Sequence, residues 1–212
     1  MTRITKKADE RRQEIINAAR HLFQTTGYDR TTMQDVMERL NIAKGTIYHY
    51  FISKEALLEA VVENIVDETI GQMEQALPGL KGNALEKMGF LFGAGNVAAD
   101  NREVMDPMHQ PANMEMHHRL LAVTILKLAP LYGDLIRQGC EEGIFQTDTP
   151  LECAEFILSA LQFLTDFGIY PWTQETLIRR AQAFPGIVEA QLKAPPGSFQ
   201  FLNPIEGSGN AQ

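Results

Sequence analysis

Apolar residues recur with the period of an α-helix along nearly the whole chain, and the alternation typical of β-strands is absent. Near the N-terminus this pattern predicts a first helix over about Ala8–Thr25, which Gly27 ends. A short second helix is predicted to begin at Thr32, with Asp35 as its capping partner, and a third to span about Ala43–Phe51. Three helices in this order, the last two joined by a short turn, predict a helix-turn-helix unit.

The remainder of the chain also shows helical periodicity, so the predicted fold class is all-α. Further helices are predicted at Ser53–Leu77, Gly82–Ala99, Asn113–Glu142, Pro150–Gly168 and Thr173–Leu192. Pro130 can kink the third of these, and the Pro185-Gly186 pair is expected to break or kink the last. We therefore expect a helix-turn-helix domain over residues 1–52, a second helical domain over 53–194 and an irregular tail over 195–212.

Charge is distributed unevenly along the chain. The net charge is −8, but residues 1–56 contain 10 Lys and Arg against 7 Asp and Glu, whereas residues 57–212 contain 9 against 20. Residues 1–56 therefore form a basic head and residues 57–212 an acidic body. Such a division is expected when only one end of a protein meets a polyanion.

The cellular compartment is predicted from what the sequence lacks. Two cysteines are too few for a disulfide framework in 212 residues. No apolar run reaches the roughly 18 residues that span a bilayer, and no apolar segment typical of a secretory signal follows the charged N-terminus. We therefore expect a reduced, cytosolic protein without a membrane partner.

The third predicted helix carries an unusual set of polar side chains. Ile47 and Phe51 lie four residues apart and are predicted to anchor it to the core. The residues then predicted to face outward are Lys44, Gly45, Thr46, Tyr48, His49 and Tyr50. Lysine donates to phosphate or to guanine acceptors, hydroxyl groups bond phosphate oxygens, and glycine lets two backbones approach. These residue types suit a DNA duplex; the alternative is a tyrosine cluster packed on a neighbouring helix.

Residues 10–58 resemble the DNA-binding domain of TetR-type (tetracycline-repressor-like) bacterial transcription regulators. The residues that carry the resemblance are Ala19, Phe23, Gly27, Tyr28, Thr31-Thr32, Asp35-Val36, Lys44–Phe51 and Ser53–Leu58. Two positions depart from the family pattern. Asn41 stands where the family commonly has glycine, and Ala43 stands where Ser or Thr often caps the third helix.

The resemblance implies a role for individual residues of the helix-turn-helix unit. Lys44, Gly45 and Tyr48 match positions that meet bases and the adjoining backbone, and Gln34 matches a base-reading position. Positions that contact phosphate are matched by Thr32, Thr46, His49, Tyr50 and Lys54. The partner implied is a double-stranded DNA operator.

The resemblance also implies that the C-terminal helices dimerise and bind a small-molecule effector whose binding releases the operator. The predicted helix Pro150–Gly168 is apolar on more than one face, which suits a homodimer through the last two long helices. A heavily buried core within one chain is the alternative.

A stretch rich in methionine and histidine, residues 105–118, has three interpretations. It could ligate a metal, line an adaptable apolar effector pocket, or simply pack between helices. Because no His-x3-His or cysteine-pair spacing is present, we favour the pocket and expect no metal and no cofactor. The predicted pocket residues are Met105, Met108, His109, Met114, His117, Phe163 and Phe167.

Two other classes of function remain as alternatives. An enzyme is disfavoured because the sequence has no glycine-rich phosphate loop, no Gly-x-Ser-x-Gly and no His-Glu-x-x-His motif. A DNA-binding architectural protein without an effector is the second alternative.

Overall fold

The computed structural model of the chain describes residues 8–94, 101–110, 113–166 and 169–203, and every regular element within them is helical. The all-α prediction is therefore confirmed. In chain order the α-helices are α1 Ala8–Thr26, α2 Met33–Leu40, α3 Lys44–Tyr50, α4 Lys54–Ala76, α5 Ala84–Ala94, α6 Arg102–Met105, α7 Met114–Glu141, α8 Pro150–Leu164 and α9 Gln174–Leu192. Short 3₁₀ turns accompany them at Leu77–Gly79, Asp106–His109 and Gln200–Leu202. Across the described residues, no helix has both the length and the apolarity that crossing a bilayer requires.

Contacts divide the chain into two compact units. The first comprises residues 1–67 and 97–120, and the second comprises residues 68–96 and 121–212. Two of the dividing points fall inside the long helices α4 and α7. The domains predicted from the sequence divide the chain by function rather than by contacts, so the boundary after residue 52 stays a prediction.

The first unit is built on the apolar stripe of α1. Ile15, Ala19 and Phe23 recur along one face of this helix and are fully buried. The same core also takes residues from α1 itself, from the α1–α2 connection, from α2, from α3 and its C-cap, from α4 and from the segment 104–120: Ile16, Ala18, Tyr28, Val36, Met37, Ile47, Phe51, Leu57, Leu58, Ala60, Val61, Val62, Ile65, Val104, Met108, Met116 and Leu120. One continuous core therefore holds the three N-terminal helices and the start of α4 in a fixed arrangement.

The second unit has a core of its own, to which the tail contributes. Phe199 is buried, its ring stacks on Phe145 at 5.7 Å between centroids, and its backbone N–H donates to Glu189 Oε1 at 3.1 Å. Leu202 is buried as well, within the 3₁₀ turn. The tail predicted from residue 195 thus contains a 3₁₀ turn, at Gln200–Leu202, and its apolar side chains complete this core. Residues 204–212 lie outside the described residues.

Pro130 and Pro185 lie in the interior of continuous helices. Helix α7 runs through Pro130, and α9 runs through Pro185, so of the break or kink expected at Pro185-Gly186 the break does not occur. A helical proline removes one backbone hydrogen bond and crowds the preceding turn, at a cost of about 3 kcal/mol. In α9, Pro185 is buried together with its neighbour Phe184 and with Val188, and this burial offsets the cost.

Helix α8 is shorter than its pattern predicts. It ends at Leu164 rather than at Gly168. The hydroxyl of Thr165 donates to the carbonyl of Leu161 at 2.6 Å and so satisfies one acceptor of the final turn. The spacing of apolar residues contains no information about this local hydrogen bond, so a prediction from that spacing places the end of the helix too late.

Candidate DNA-binding surface

Helix α2 begins with a complete capping box. The Thr32 hydroxyl oxygen accepts from the backbone N–H of Asp35 at 3.2 Å, and the Thr32 N–H donates to Asp35 Oδ2 at 2.8 Å. The Thr32 hydroxyl also lies 2.8 Å from the same carboxylate oxygen. The bonds from the Thr32 backbone and side chain hold the pKa of Asp35 below its ordinary value of 3.8. The predicted partnership of these two residues is confirmed.

A three-residue turn connects α2 to α3. Asn41 adopts the left-handed conformation, with φ 50° and ψ 50°, which asparagine tolerates better than most residues. Its N–H donates to the Glu38 carbonyl at 3.1 Å, and the Ile42 N–H donates to the Met37 carbonyl at 3.0 Å. Asparagine therefore substitutes here for the glycine of the family pattern.

Helix α3 is anchored by the two predicted residues. Ile47 is fully buried and Phe51 is nearly so, whereas Ala43 precedes the helix without any side-chain cap. The predicted outward residues that are exposed are Lys44, Gly45, Tyr48 and His49, while Thr46 and Tyr50 are half-buried. The Lys44 ammonium lies 5.7 Å from the centre of the Tyr48 ring.

Gly45 has no structural reason within the described chain to lack a side chain. A Cβ built on it meets nothing within 4 Å, and its φ lies outside the left-handed range. Alanine is more favourable than glycine in a helix by up to about 1 kcal/mol. The glycine is thus costly to the fold and leaves open space at the helix surface.

An open groove of about 440 Å³ lies where α2, α3 and the start of α4 meet. It is lined by Asp29, Thr31, Thr32, Met33, Gln34, Met37, Lys44, Tyr48 and Lys54. The structure thus brings together five of the nine predicted DNA contacts in one concave surface. The other four, Gly45, Thr46, His49 and Tyr50, do not line this groove.

Two of the lining side chains are held by protein groups that the sequence prediction did not include. Gln34 Nε2 donates to Glu38 Oε1 at 2.7 Å on the next turn of α2. Lys54 Nζ donates to the carbonyls of Tyr28 at 3.0 Å and Thr31 at 3.1 Å. The i, i+4 spacing of Gln34 and Glu38 was a signal available in the sequence; the carbonyl partners of Lys54 were not.

The predicted effector-pocket residues lie in different surroundings. Met108 and His117 are buried, Met114 is half-buried, and His109 is exposed with its ring 4.9 Å from that of His117. Met105 packs against the core of the first unit, to which Met108 belongs. For these two methionines the contacts are those of inter-helix packing, one of the three interpretations of this stretch.

The remaining pocket residues belong elsewhere. Phe163 is half-buried in the second unit, and Phe167 lies outside the described residues. A second open groove, of about 390 Å³, lies beside the α1–α2 connection and is lined by Gly27, Tyr28, Asp29, Arg30, Glu103, Asp106, Pro107 and Gln110. Neither groove contains a predicted pocket residue, so the location of the pocket stays a prediction.

Helices α8 and α9 expose large apolar side chains in the single chain. Phe156 is 64% exposed and Ile187 is 54% exposed, and Leu151 and Ile178 are partly exposed as well. Helix α8 buries Cys153, Ala154 and Ile157 on its other side. Exposed apolar residues grouped on two helices are typical of a surface that is covered by a partner.

Two family models match the chain, and together they span about two thirds of it. Residues 15–61 match the model described as bacterial regulatory proteins of the tetR family, and residues 96–187 match the tetracyclin repressor-like C-terminal domain.

Curated proteins show the same similarity. The chain is 25% identical over 146 residues to the HTH-type transcriptional repressor KstR2 of Mycolicibacterium smegmatis, which covers 67% of this chain and 71% of that protein. It is 31% identical over 80 residues to the HTH-type transcriptional regulator UidR of Escherichia coli, which covers 38% of this chain and 41% of that protein.

Solved structures share the fold. A TetR-family transcriptional regulator from Pectobacterium atrosepticum superposes with a TM-score of 0.62 at 22% identity, covering 88% of this chain and 96% of that one. A transcriptional regulator from Cytophaga hutchinsonii gives a TM-score of 0.61 at 19% identity, covering 85% and 96%. At these identities the likeness establishes the fold alone.

The capping box yields a stability prediction. Replacing Thr32 by alanine should lower the free energy of unfolding at pH 7 by about 1 kcal/mol, because an N-cap side chain is lost. Part of this loss should depend on pH. Because the folded pKa of Asp35 is lowered, its contribution is complete above pH 3.8 and is lost as the pH falls through the folded pKa. Urea unfolding followed by circular dichroism at pH 7 and pH 3 measures both effects.

Thr149→Ala is the matched control, because Thr149 occupies the N-cap position of α8 without making a side-chain capping bond. We expect a loss below about 0.5 kcal/mol for this variant, as for an ordinary surface substitution. Equal losses for the two variants would contradict the role assigned to the Thr32 cap.

Proposed function

The chain belongs to the TetR family of bacterial regulatory proteins and is a DNA-binding transcription regulator, and from this premise we propose that it is a homodimeric repressor released from its operator by a small-molecule effector. The observation that carries the DNA-binding proposal is the geometry of α3. Ile47 and Phe51 are buried in the core and anchor this helix. Lys44, Gly45 and Tyr48 are exposed on its outer side.

The proposed docking places α3 in the major groove. This groove is about 12 Å wide and admits one α-helix, and recognition helices contact base edges with their N-terminal residues. Lys44 and Gly45 are the first two residues of α3. Lysine would donate to guanine or phosphate acceptors, and the missing side chain of Gly45 would let the helix approach the duplex closely.

The groove of about 440 Å³ supports contacts from α2 as well. In this structure Gln34 is bonded to Glu38, so reading a base would require its amide to exchange the carboxylate for a base edge. The carboxylate of Glu38 would also oppose nearby phosphates. We therefore infer that Glu38 restricts which DNA sequences this surface accepts.

The DNA-binding proposal is tested by substitutions on α3. Lys44→Ala and Tyr48→Ala should each weaken specific binding by roughly 1–3 kcal/mol. Gly45→Ala should raise the free energy of unfolding by up to about 1 kcal/mol, yet weaken DNA binding, because the added methyl group occupies the space that the duplex needs. Fluorescence anisotropy measures affinity for a duplex that the wild-type protein selects from a random library, at one fixed salt concentration.

Arg137→Ala serves as the control, because Arg137 is an exposed cation of the second unit and should leave the affinity unchanged. Unchanged affinity of all three α3 variants would contradict the assignment of the reading surface. Failure of the wild-type protein to bind any duplex at low salt would contradict DNA binding itself.

The homodimer proposal places the exposed apolar residues of α8 and α9 between two copies of the chain. A two-fold interface uses the same surface on both copies, and a dimer supplies the paired heads that read two half-sites.

Phe156→Asp should raise the dimer dissociation constant by at least tenfold, because a carboxylate would be buried without a partner. Sedimentation velocity over a range of protein concentrations measures the change. Leu126→Asp is the control, because Leu126 is 70% exposed and belongs to α7, which is neither of the two proposed interface helices. A Phe156 variant that stays dimeric while the Leu126 variant dissociates would move the interface to α7.

The effector proposal rests on the family and on the predicted pocket residues. Of those in the first unit, Met105, His109 and Met114 retain exposed surface that a ligand could cover. Binding would shift the population of conformations away from the operator-bound one.

A regulator of this kind acts where the chromosome is, so we place the protein in the bacterial cytosol, on the nucleoid when it is bound to its operator.

A thermal-shift screen across a metabolite panel tests the effector. A true effector at 100 times its dissociation constant should stabilise the protein by about 2.7 kcal/mol, and the same compound should weaken operator binding in the anisotropy assay. A compound that stabilises the protein but leaves operator affinity unchanged would argue against effector-controlled release. A panel without any stabilising compound would favour the architectural alternative.

A further inference from the structure

Lys54, the first residue of α4, is bound to the connection between α1 and α2. Its Nζ donates to the carbonyls of Tyr28 at 3.0 Å and Thr31 at 3.1 Å, and lies 4.1 Å from the centre of the Tyr28 ring. An ammonium group has three N–H donors, so two of the three are used within the protein. The side chain is half-buried.

The connection that Lys54 contacts is itself well ordered by hydrogen bonds. Gly27 ends α1 with φ 90°. The Thr31 N–H donates to the carbonyls of Gly27 and Tyr28, and the buried Thr31 hydroxyl donates to the Gly27 carbonyl at 2.8 Å. Lys54 adds a bond to each end of this turn, at Tyr28 and at Thr31.

The bond to Thr31 continues directly into the capping box of α2. The Thr31 carbonyl and the Thr32 N–H belong to the same peptide group, and that N–H donates to Asp35 Oδ2 at 2.8 Å. An ammonium on the oxygen side and a carboxylate on the N–H side polarise this peptide in the same direction, so each bond strengthens the other. Lys54 and Asp35 therefore fix the Thr31–Thr32 peptide, which leads into the N-cap of α2, from opposite sides.

The position of Lys54 also costs electrostatic energy that these contacts offset. A cation in the first turn of a helix is disfavoured by the positive end of the helix dipole. The two carbonyl oxygens supply negative partial charge at the ammonium. Burial, followed by the charges of Glu55 and Asp29, raises the pKa of Tyr28 to about 12, so its ring meets the ammonium as a neutral aromatic surface.

We propose that Lys54 acts on DNA binding as a positioning residue: through the Tyr28 and Thr31 carbonyls it sets the first turn of α2, rather than itself binding a phosphate. The inference rests on the proposed DNA-binding function and replaces the phosphate contact expected for Lys54 from the resemblance. The residues it positions are Thr32 and Gln34, which line the same groove.

The test compares Lys54→Met with Lys44→Met, two substitutions that remove the same charge. The probes are the duplex selected by the wild-type protein and a scrambled duplex of equal length, each measured over a range of salt concentrations. A lost phosphate contact lowers the slope of log K against log salt concentration by about 0.9 and weakens both duplexes alike. Positioning predicts a different result for Lys54→Met: about tenfold weaker binding of the selected duplex, an unchanged slope, and less than about twofold change on the scrambled duplex.

A double-mutant cycle tests the route through the capping box. The effects of Lys54→Met and Asp35→Asn on affinity for the selected duplex should be coupled, so that the double variant loses less than the product of the two separate losses. The effects of Lys54→Met and Arg137→Ala should multiply without coupling. Independent effects of Lys54 and Asp35 would overturn the proposal.

If Lys54→Met lowers the salt slope and weakens binding of both duplexes equally, the positioning role is overturned in favour of the phosphate contact. If Lys54→Met leaves the affinity for both duplexes unchanged, both roles are overturned. Circular dichroism establishes that each variant is folded at the assay temperature. If Lys54→Met does not fold, Lys54→Gln carries the test, because its neutral amide can still donate to the two carbonyls and should keep the slope unchanged with a smaller loss of affinity. Failure of the wild-type protein to bind either duplex refutes the proposed function and is distinguishable from all of these results.

Discussion

Helix α3 has seven residues and no side-chain cap, so its conformation depends on the two apolar side chains that it buries. A helix of this length is not stable alone in water. Ile47 and Phe51 enter a core that already contains Ile15, Ala19 and Phe23 of α1, and the burial of a large aliphatic or aromatic side chain stabilises by roughly 1.5–3 kcal/mol. The exposed surface of α3 can therefore carry residues chosen for contact with DNA rather than for helix stability.

The N-terminal helices could be predicted closely from the sequence because their ends are set by neighbouring residues. Thr32 and Asp35 form the expected capping box, and Asn41, where the family commonly has glycine, adopts the left-handed conformation. The burial of Ile47 and Phe51 follows from their spacing of four residues, which also determines that Lys44 and Tyr48 are exposed.

The structure differs from the sequence prediction where contacts between residues far apart in the chain determine the conformation. Pro185 stays inside α9 because it is buried with Phe184 and Val188, and Phe199 is held by Phe145 and Glu189. The carbonyl partners of Lys54 belong to residues 23 and 26 positions earlier in the chain. Backbone carbonyls carry no sequence signal, since every residue has one. A position in the sequence can therefore identify a functional residue without revealing the contacts through which it acts.

Charge along α4 explains how an acidic protein can still approach DNA with one end. The helix begins with Lys54 and then carries Glu55, Glu59, Glu63 and Asp67, so the sign of the charge changes within its first turn. At 1.5 Å per residue its 23 residues extend about 35 Å, whereas the Debye length at physiological salt is about 8 Å. In the proposed docking, acidic residues that lie more than a Debye length from the bound phosphates would be largely screened from them. The uneven charge would then favour encounters through the basic residues 1–56 over encounters through the acidic residues 57–212.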